Sequence, residues 1–135
     1  MLNRRSALIF VPMVAATAAQ AAGSPGKVST DDRVQLQSAM QVHIDRTTVA
    51  GSYPVLNLAT GKVRQLHPAS AHPMMLRLGD YYVLCADFRD DAGKAVNVDF
   101  YLARNDRKFT VFQVEVANRA PLDGLVKEGL ARMLE

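Results

Sequence analysis

The hydrophobic and polar positions change period twice along the chain. From Asp31 to Arg46 the apolar residues recur at helical spacing. Leu36, Met40, His43 and Thr47 fall on one stripe with Ala39 and Ile44 beside it, and Arg33, Gln37, Gln41 and Asp45 take the other side. Ser29 or Thr30 can cap this helix, and Asp31 and Asp32 suit the positive end of its dipole. After Gly51 the period drops to two. Val55 to Leu58 and Val63 to Leu66 read as the arms of a hairpin turned at Ala59-Thr60-Gly61-Lys62, and Pro54 suggests an edge strand. "QLHPASAHPMM" follows as a proline-stiffened connector, since each proline pushes the histidine before it into an extended conformation. "MMLRL" reads as a short strand.

Three stronger strands come next: "YYVLCADF", "AVNVDFYLA" and "FTVFQVEVA". All are rich in β-branched and aromatic residues, and turn residues separate them. Helical spacing then returns, with Leu122, Leu125, Val126, Gly129, Leu130 and Met133 on one stripe behind Pro121. The fold class is α+β: an N-terminal helix, an antiparallel β-meander of four to six strands and a C-terminal helix, with the helices on one face of the sheet.

Alternation assigns the two faces of the three strong strands. Tyr82, Leu84, Ala86, Phe88, Val96, Val98, Phe100, Leu102, Phe112, Val114 and Val116 make an apolar face that belongs under the helices. The other face mixes apolar and polar residues. Even index sums pair apolar with apolar. They put Cys85 opposite Asp99, Asp87 opposite Asn97, Asp99 opposite Gln113 and Asn97 opposite Glu115. The candidate binding face is therefore Cys85, Asp87, Asn97, Asp99, Gln113 and Glu115. A solvated sheet face needs no function to be polar.

The first residues change the picture of the whole. "MLNRR" is basic, "SALIFVPMVAATAA" is apolar, and Ala19-Gln20-Ala21 fits a signal-peptidase site. Residues 1–21 read as a removed signal peptide, 22–29 as a flexible leader and 30–135 as a single α+β domain. The apolar run falls short of the ~20 residues that span a bilayer, so no membrane span is expected in the mature chain. The location is periplasmic or secreted, by Sec export in preference to the twin-arginine route that Arg4-Arg5 suggests. Two of the 16 basic residues lie in that segment, so the remainder is close to balance against 13 acidic ones. Nothing in that balance points to nucleic acid.

Candidate chemistry is sparse. His67, His72, Met74 and Cys85 are soft or borderline ligands that suit copper or zinc if they converge, although no CxxC or HxxxH spacing supports them. Cys85 as a nucleophile would lack the helix N-terminus that usually activates a thiol. Within the chain, the stretch from His72-Pro73 through "YYVLCADFRDDAGKAVNVDFYLAR" resembles small exported proteobacterial proteins that share an HP, a Cys-Ala-Asp-Phe strand, Gly-Lys and a Val-Asp-Phe-Tyr strand. That resemblance implies export and brings no activity with it. The layout is also loosely similar to cystatin-like and NTF2-like folds. The expected function is a non-enzymatic binding or interaction module without a built-in cofactor, its partner a protein or a small molecule. The alternative is a periplasmic copper- or zinc-binding protein using His72 and Cys85, and a small enzyme ranks last.

Overall fold

The computed structural model describes residues 27–134. The segment read as a signal peptide and most of the 22–29 leader lie outside the described residues. The first helix, α1, spans Thr30–Thr47. Ser29 caps it, its Oγ accepting from the Asp32 N–H at 3.0 Å. Leu36, Met40 and Ile44 form the buried stripe. At the other end the Thr48 N–H and Oγ1 both donate to the Ile44 carbonyl, which closes the last turn.

Six strands follow: β1 (Tyr53–Asn57), β2 (Lys62–Leu78), β3 (Tyr81–Arg89), β4 (Ala95–Asn105), β5 (Lys108–Val116) and, after helix α2 (Ala120–Lys127), β6 (Ala131–Leu134). The main path runs β1-β2-β3-β4-β5, and β6 adds to β2. Every pairing is antiparallel, and the sheet does not close. Pro54 stands on β1, which pairs only with β2, where a missing N–H costs little. The class is α+β, as the pattern implies. No helix among the described residues is long and apolar enough to cross a membrane.

Both His-Pro dipeptides lie inside β2, where a connector was expected. Proline cannot donate to a ladder, and the strand accommodates it by bulging. Pro68 pairs with Phe88 and Ser70 with Asp87, which leaves Ala69 over. Farther on, Ala71 pairs with Ala86 and Met75 with Leu84, so His72, Pro73 and Met74 oppose Cys85 alone.

The helices do not share a face. α1 covers the apolar side, packing Leu36, Met40 and Ile44 among Leu84, Phe88, Phe100 and Leu102. α2 lies on the opposite side, where Leu122 packs with Leu76, Val83, Cys85, Tyr101 and Ala131. Those apolar residues occupy one end of the mixed face and need their own cover. Burying Leu122 there contributes about 2 kcal/mol.

The C-terminal helix is also shorter than its periodicity. The Leu130 N–H reaches the Leu125 carbonyl and the Gly129 N–H reaches that of Val126. This is the Schellman arrangement, with Gly129 left-handed at φ 75°. The chain then reverses, and Ala131–Leu134 pairs with Leu78–Met75 of β2.

The β4–β5 hairpin corrects the assignment of Phe112 to the apolar face, and with it that of Val111, which alternation puts on the mixed face. Its two-residue turn is Asp106-Arg107, with Asp106 left-handed at φ 58°. Asn105 pairs with Lys108 and Leu102 with Val111, so the index sum near the turn is odd. Then Tyr101 pairs with Gln113, and Phe112 is the bulged residue that restores even sums. Val111 thus joins the main core, and Phe112 stands on the mixed face, its ring 5.3 Å from Tyr81 and 6.5 Å from Tyr101 between centroids.

Candidate functional site

The mixed face is assembled by β2, β3, β4 and β5. Cys85 stands opposite Asp99, and Asp87 opposite Asn97, as the turn between β3 and β4 implied. The two-residue turn and the bulge together shift the next pairings by two positions. Asp99 faces Glu115 rather than Gln113, which faces Tyr101. Asn97 does not face Glu115; its carbonyl accepts from the Ala117 N–H at 2.8 Å. All six candidate residues share one face, but they do not form one open surface. Cys85 and Asp99 are fully buried, Asp87, Asn97 and Glu115 are half-buried, and Gln113 is exposed.

Arg119 closes this arrangement from the cap position just before α2. Its Nη2 donates to Asp99 Oδ1 at 2.7 Å and its Nε to Oδ2 at 3.4 Å, a two-pronged pair that satisfies a carboxylate with no access to water. With its amide nitrogen turned toward Asp99, Asn97 donates to Oδ1 at 3.2 Å and accepts from Arg119 at 3.2 Å. Farther along, Glu115 accepts from Gln113 at 2.9 Å and from Asn118 at 3.0 Å. The Arg119 pKa is raised, first by its bond to Asp99.

Cys85 takes its character from this setting. Burial, and then the neighbouring Asp99 carboxylate, push its thiol up to about 12, with Arg119 pulling weakly the other way. A thiol so placed stays protonated at neutral pH, and it is the thiolate that attacks or ligates. Burial and the Asp99 charge also raise the Tyr101 phenol.

The histidines separate. His67 sits at the exposed end, with Nε2 3.0 Å from Asp91 Oδ1. His72 folds over the mixed face and meets Asp87, Nε2 to Oδ2 at 2.9 Å. That contact is an ion-pair approach without hydrogen-bond alignment, because the Nε2 atom is buried yet makes no directed bond. Met74 packs against the α2 cluster. Among the described residues no group of three or more His, Cys, Asp or Glu side chains is placed to hold a metal ion.

A second feature lies on the other side of the sheet. α1 and the start of β5 enclose an open groove of about 850 Å³. Its apolar lining includes Val34, Ala39, Val42, Phe109 and Val111, and Arg46, Arg107 and Lys108 also line it. Val34 and Val42 of α1 are 60% and 41% exposed, so the groove keeps apolar surface open to solvent. His43 borders the same groove. Its Nε2 lies 3.0 Å from the Tyr53 hydroxyl, its ring packs edge-on to Phe100, and burial lowers its pKa.

The chain matches no family model, no curated protein and no solved structure. Function therefore rests on these two features. Sequence reasoning found the strand residues of the first but missed Arg119, which belongs to no strand and follows no period. It missed the groove as well. The available signal was a second apolar spacing on α1, Val34 to Val42 across Ser38, beside the buried stripe.

Proposed function

We propose that this protein is a non-enzymatic binding module whose ligand, elongated and largely apolar, lies in the groove between α1 and β5. The observation that carries the reading is an open groove of about 850 Å³ that keeps Val34 and Val42 exposed beside Phe109 and Val111. That volume is within the range of small-molecule sites, about 300–1,000 Å³. The groove is bounded by one helix and an edge strand of a well-packed sheet, so its walls are held without a ligand.

The mixed face supports the same reading by default. Its one thiol is fully buried with a raised pKa, and its interior carboxylate is already bound by Arg119. Both groups are engaged in holding α2 against the sheet.

The test is a fluorescence titration of the purified protein with N-phenyl-1-naphthylamine, an uncharged probe that brightens in apolar surroundings. Saturable one-to-one binding that Val42→Arg abolishes supports the proposal. Val42 is partly exposed, so the arginine is tolerated by the fold while its bulk and charge fill the groove. An absence of saturable binding, or binding indifferent to Val42→Arg, would overturn it.

A further inference from the structure

Resting on the groove reading, we infer that the natural ligand is a single-chain amphiphile with an acidic head group, a long-chain carboxylate, whose head is held by Arg107 and Lys108. Charge is the first ground. Arg46, Arg107 and Lys108 line the groove, and no carboxylate lines it. None of the three cations belongs to an ion pair among the described residues. None of the acidic side chains of α1, Asp31, Asp32 and Asp45, is part of the lining. Asp32 accepts from Arg104 at 2.9 Å, and Asp45 accepts from Gln41 at 2.8 Å. Asp106, in the same turn as Arg107, is not part of the lining. The groove therefore presents three cations and no lining carboxylate next to apolar surface, which an anionic amphiphile complements.

Shape is the second ground. The Arg104–Asp32 pair fixes the first turn of α1 beside the β4–β5 turn, since Arg104 also pairs with Phe109 in the ladder. Arg46 lies near the far end of α1, about 21 Å away along an axis that rises 1.5 Å per residue. Two cations thus stand at the turn end of a long groove and one at the other, with Ala39 and Val42 of α1 between them. A linear chain with its head at Arg107 and Lys108 and its tail running along α1 fits that order. A compact anion would leave the apolar lining uncovered.

The experiment displaces the bound naphthylamine probe with hexadecanoate, with hexadecanol and with hexadecylamine, each below the concentration at which it forms micelles. The carboxylate is expected to displace about tenfold more tightly than the alcohol, and the amine more weakly, with the carboxylate's advantage shrinking as salt rises. In the double variant Arg107→Ala, Lys108→Ala the acid-to-alcohol ratio should fall toward one. Arg46→Ala serves as a second variant and should lower the ratio less. An acid that binds no better than the alcohol, or an advantage that survives the double substitution, would overturn the inference while leaving the groove reading intact. Failure of the probe to bind at all would remove the groove reading first. Association with phosphatidylglycerol vesicles that leaves the probe in place would also overturn the inference, because the cations would then be reading a membrane surface.

Discussion

Cys85 and Asp99 stand directly opposite one another on β3 and β4, both fully buried, and Arg119 reaches from the start of α2 to pair with the carboxylate. The thiol consequently resists ionisation, its pKa pushed up to about 12 from an ordinary 9.0. A group whose folded pKa is raised contributes stability that is complete below the unfolded value and is lost as pH climbs toward the folded one. Stability should therefore fall between pH 9 and pH 12, and Cys85 should account for about 1.4 kcal/mol of that fall by pH 10. Urea titrations of the parent and of Cys85→Ala at pH 8 and pH 10 measure it. Equal losses in the two proteins would show that the thiol is not the titrating group. At neutral pH a thiol reagent should label Cys85 only as fast as the chain unfolds.

Arg119 carries the complementary prediction. Arg119→Ala leaves the Asp99 carboxylate buried without a cation, and breaking such a pair costs about 3 kcal/mol. Adding Asp99→Asn removes the stranded charge, so the double variant should be more stable than Arg119→Ala alone. A double-mutant cycle in urea reads this directly. If both single changes cost under about 0.5 kcal/mol, the pair is no more than a surface contact.

Parts of this architecture were legible because they are settled locally. Phe88, Val98 and Phe100 alternate in strands whose apolar side must be buried, and the turn from Asp90 to Lys94 fixes the index sum that sets Cys85 against Asp99. Other parts depend on events that alternation does not register. A two-residue turn at Asp106-Arg107 reverses parity, and the bulge at Phe112 restores it, so Val111 and Phe112 exchange faces. Leu130 to Leu134 carries good helix formers, yet a left-handed Gly129 and a partner stretch on β2 make it a strand. Arg119 lies outside every periodic segment. The groove depends on how α1 sits across β5, a tertiary property with only the exposed Val34 and Val42 as its trace.

His43 gives the acid side of the pH profile. Burial lowers its pKa, so the folded protein favours the neutral ring hydrogen-bonded to Tyr53. A depressed pKa contributes stability that is present above the unfolded value of 6.5 and is lost as pH falls below it. Thermal unfolding at pH 7.5 and pH 5 should show a drop that His43→Gln reduces, since glutamine keeps a polar partner for Tyr53 and does not titrate. An identical drop in the variant would place the acid sensitivity elsewhere.

Gly129 tests whether β6 exists because the helix is forced to stop. The glycine has open space around its Cα, so an added methyl group meets no neighbour, and the only penalty is the left-handed backbone at φ 75°. For an L-residue that conformation costs about 1–2 kcal/mol. Gly129→Ala should therefore destabilise the fold by about that amount. Alanine also favours continuing the helix toward Leu130 and Met133, which competes with pairing of Ala131–Leu134 on β2. Amide exchange separates the two effects. The protection of those Ala131–Leu134 amides that point toward β2 should fall by more than the global loss accounts for, while Cys85 and Phe100 on the central strands follow the global value. Uniform loss across all strands would mean that β6 pairing survives the strain and that the cost is backbone conformation alone.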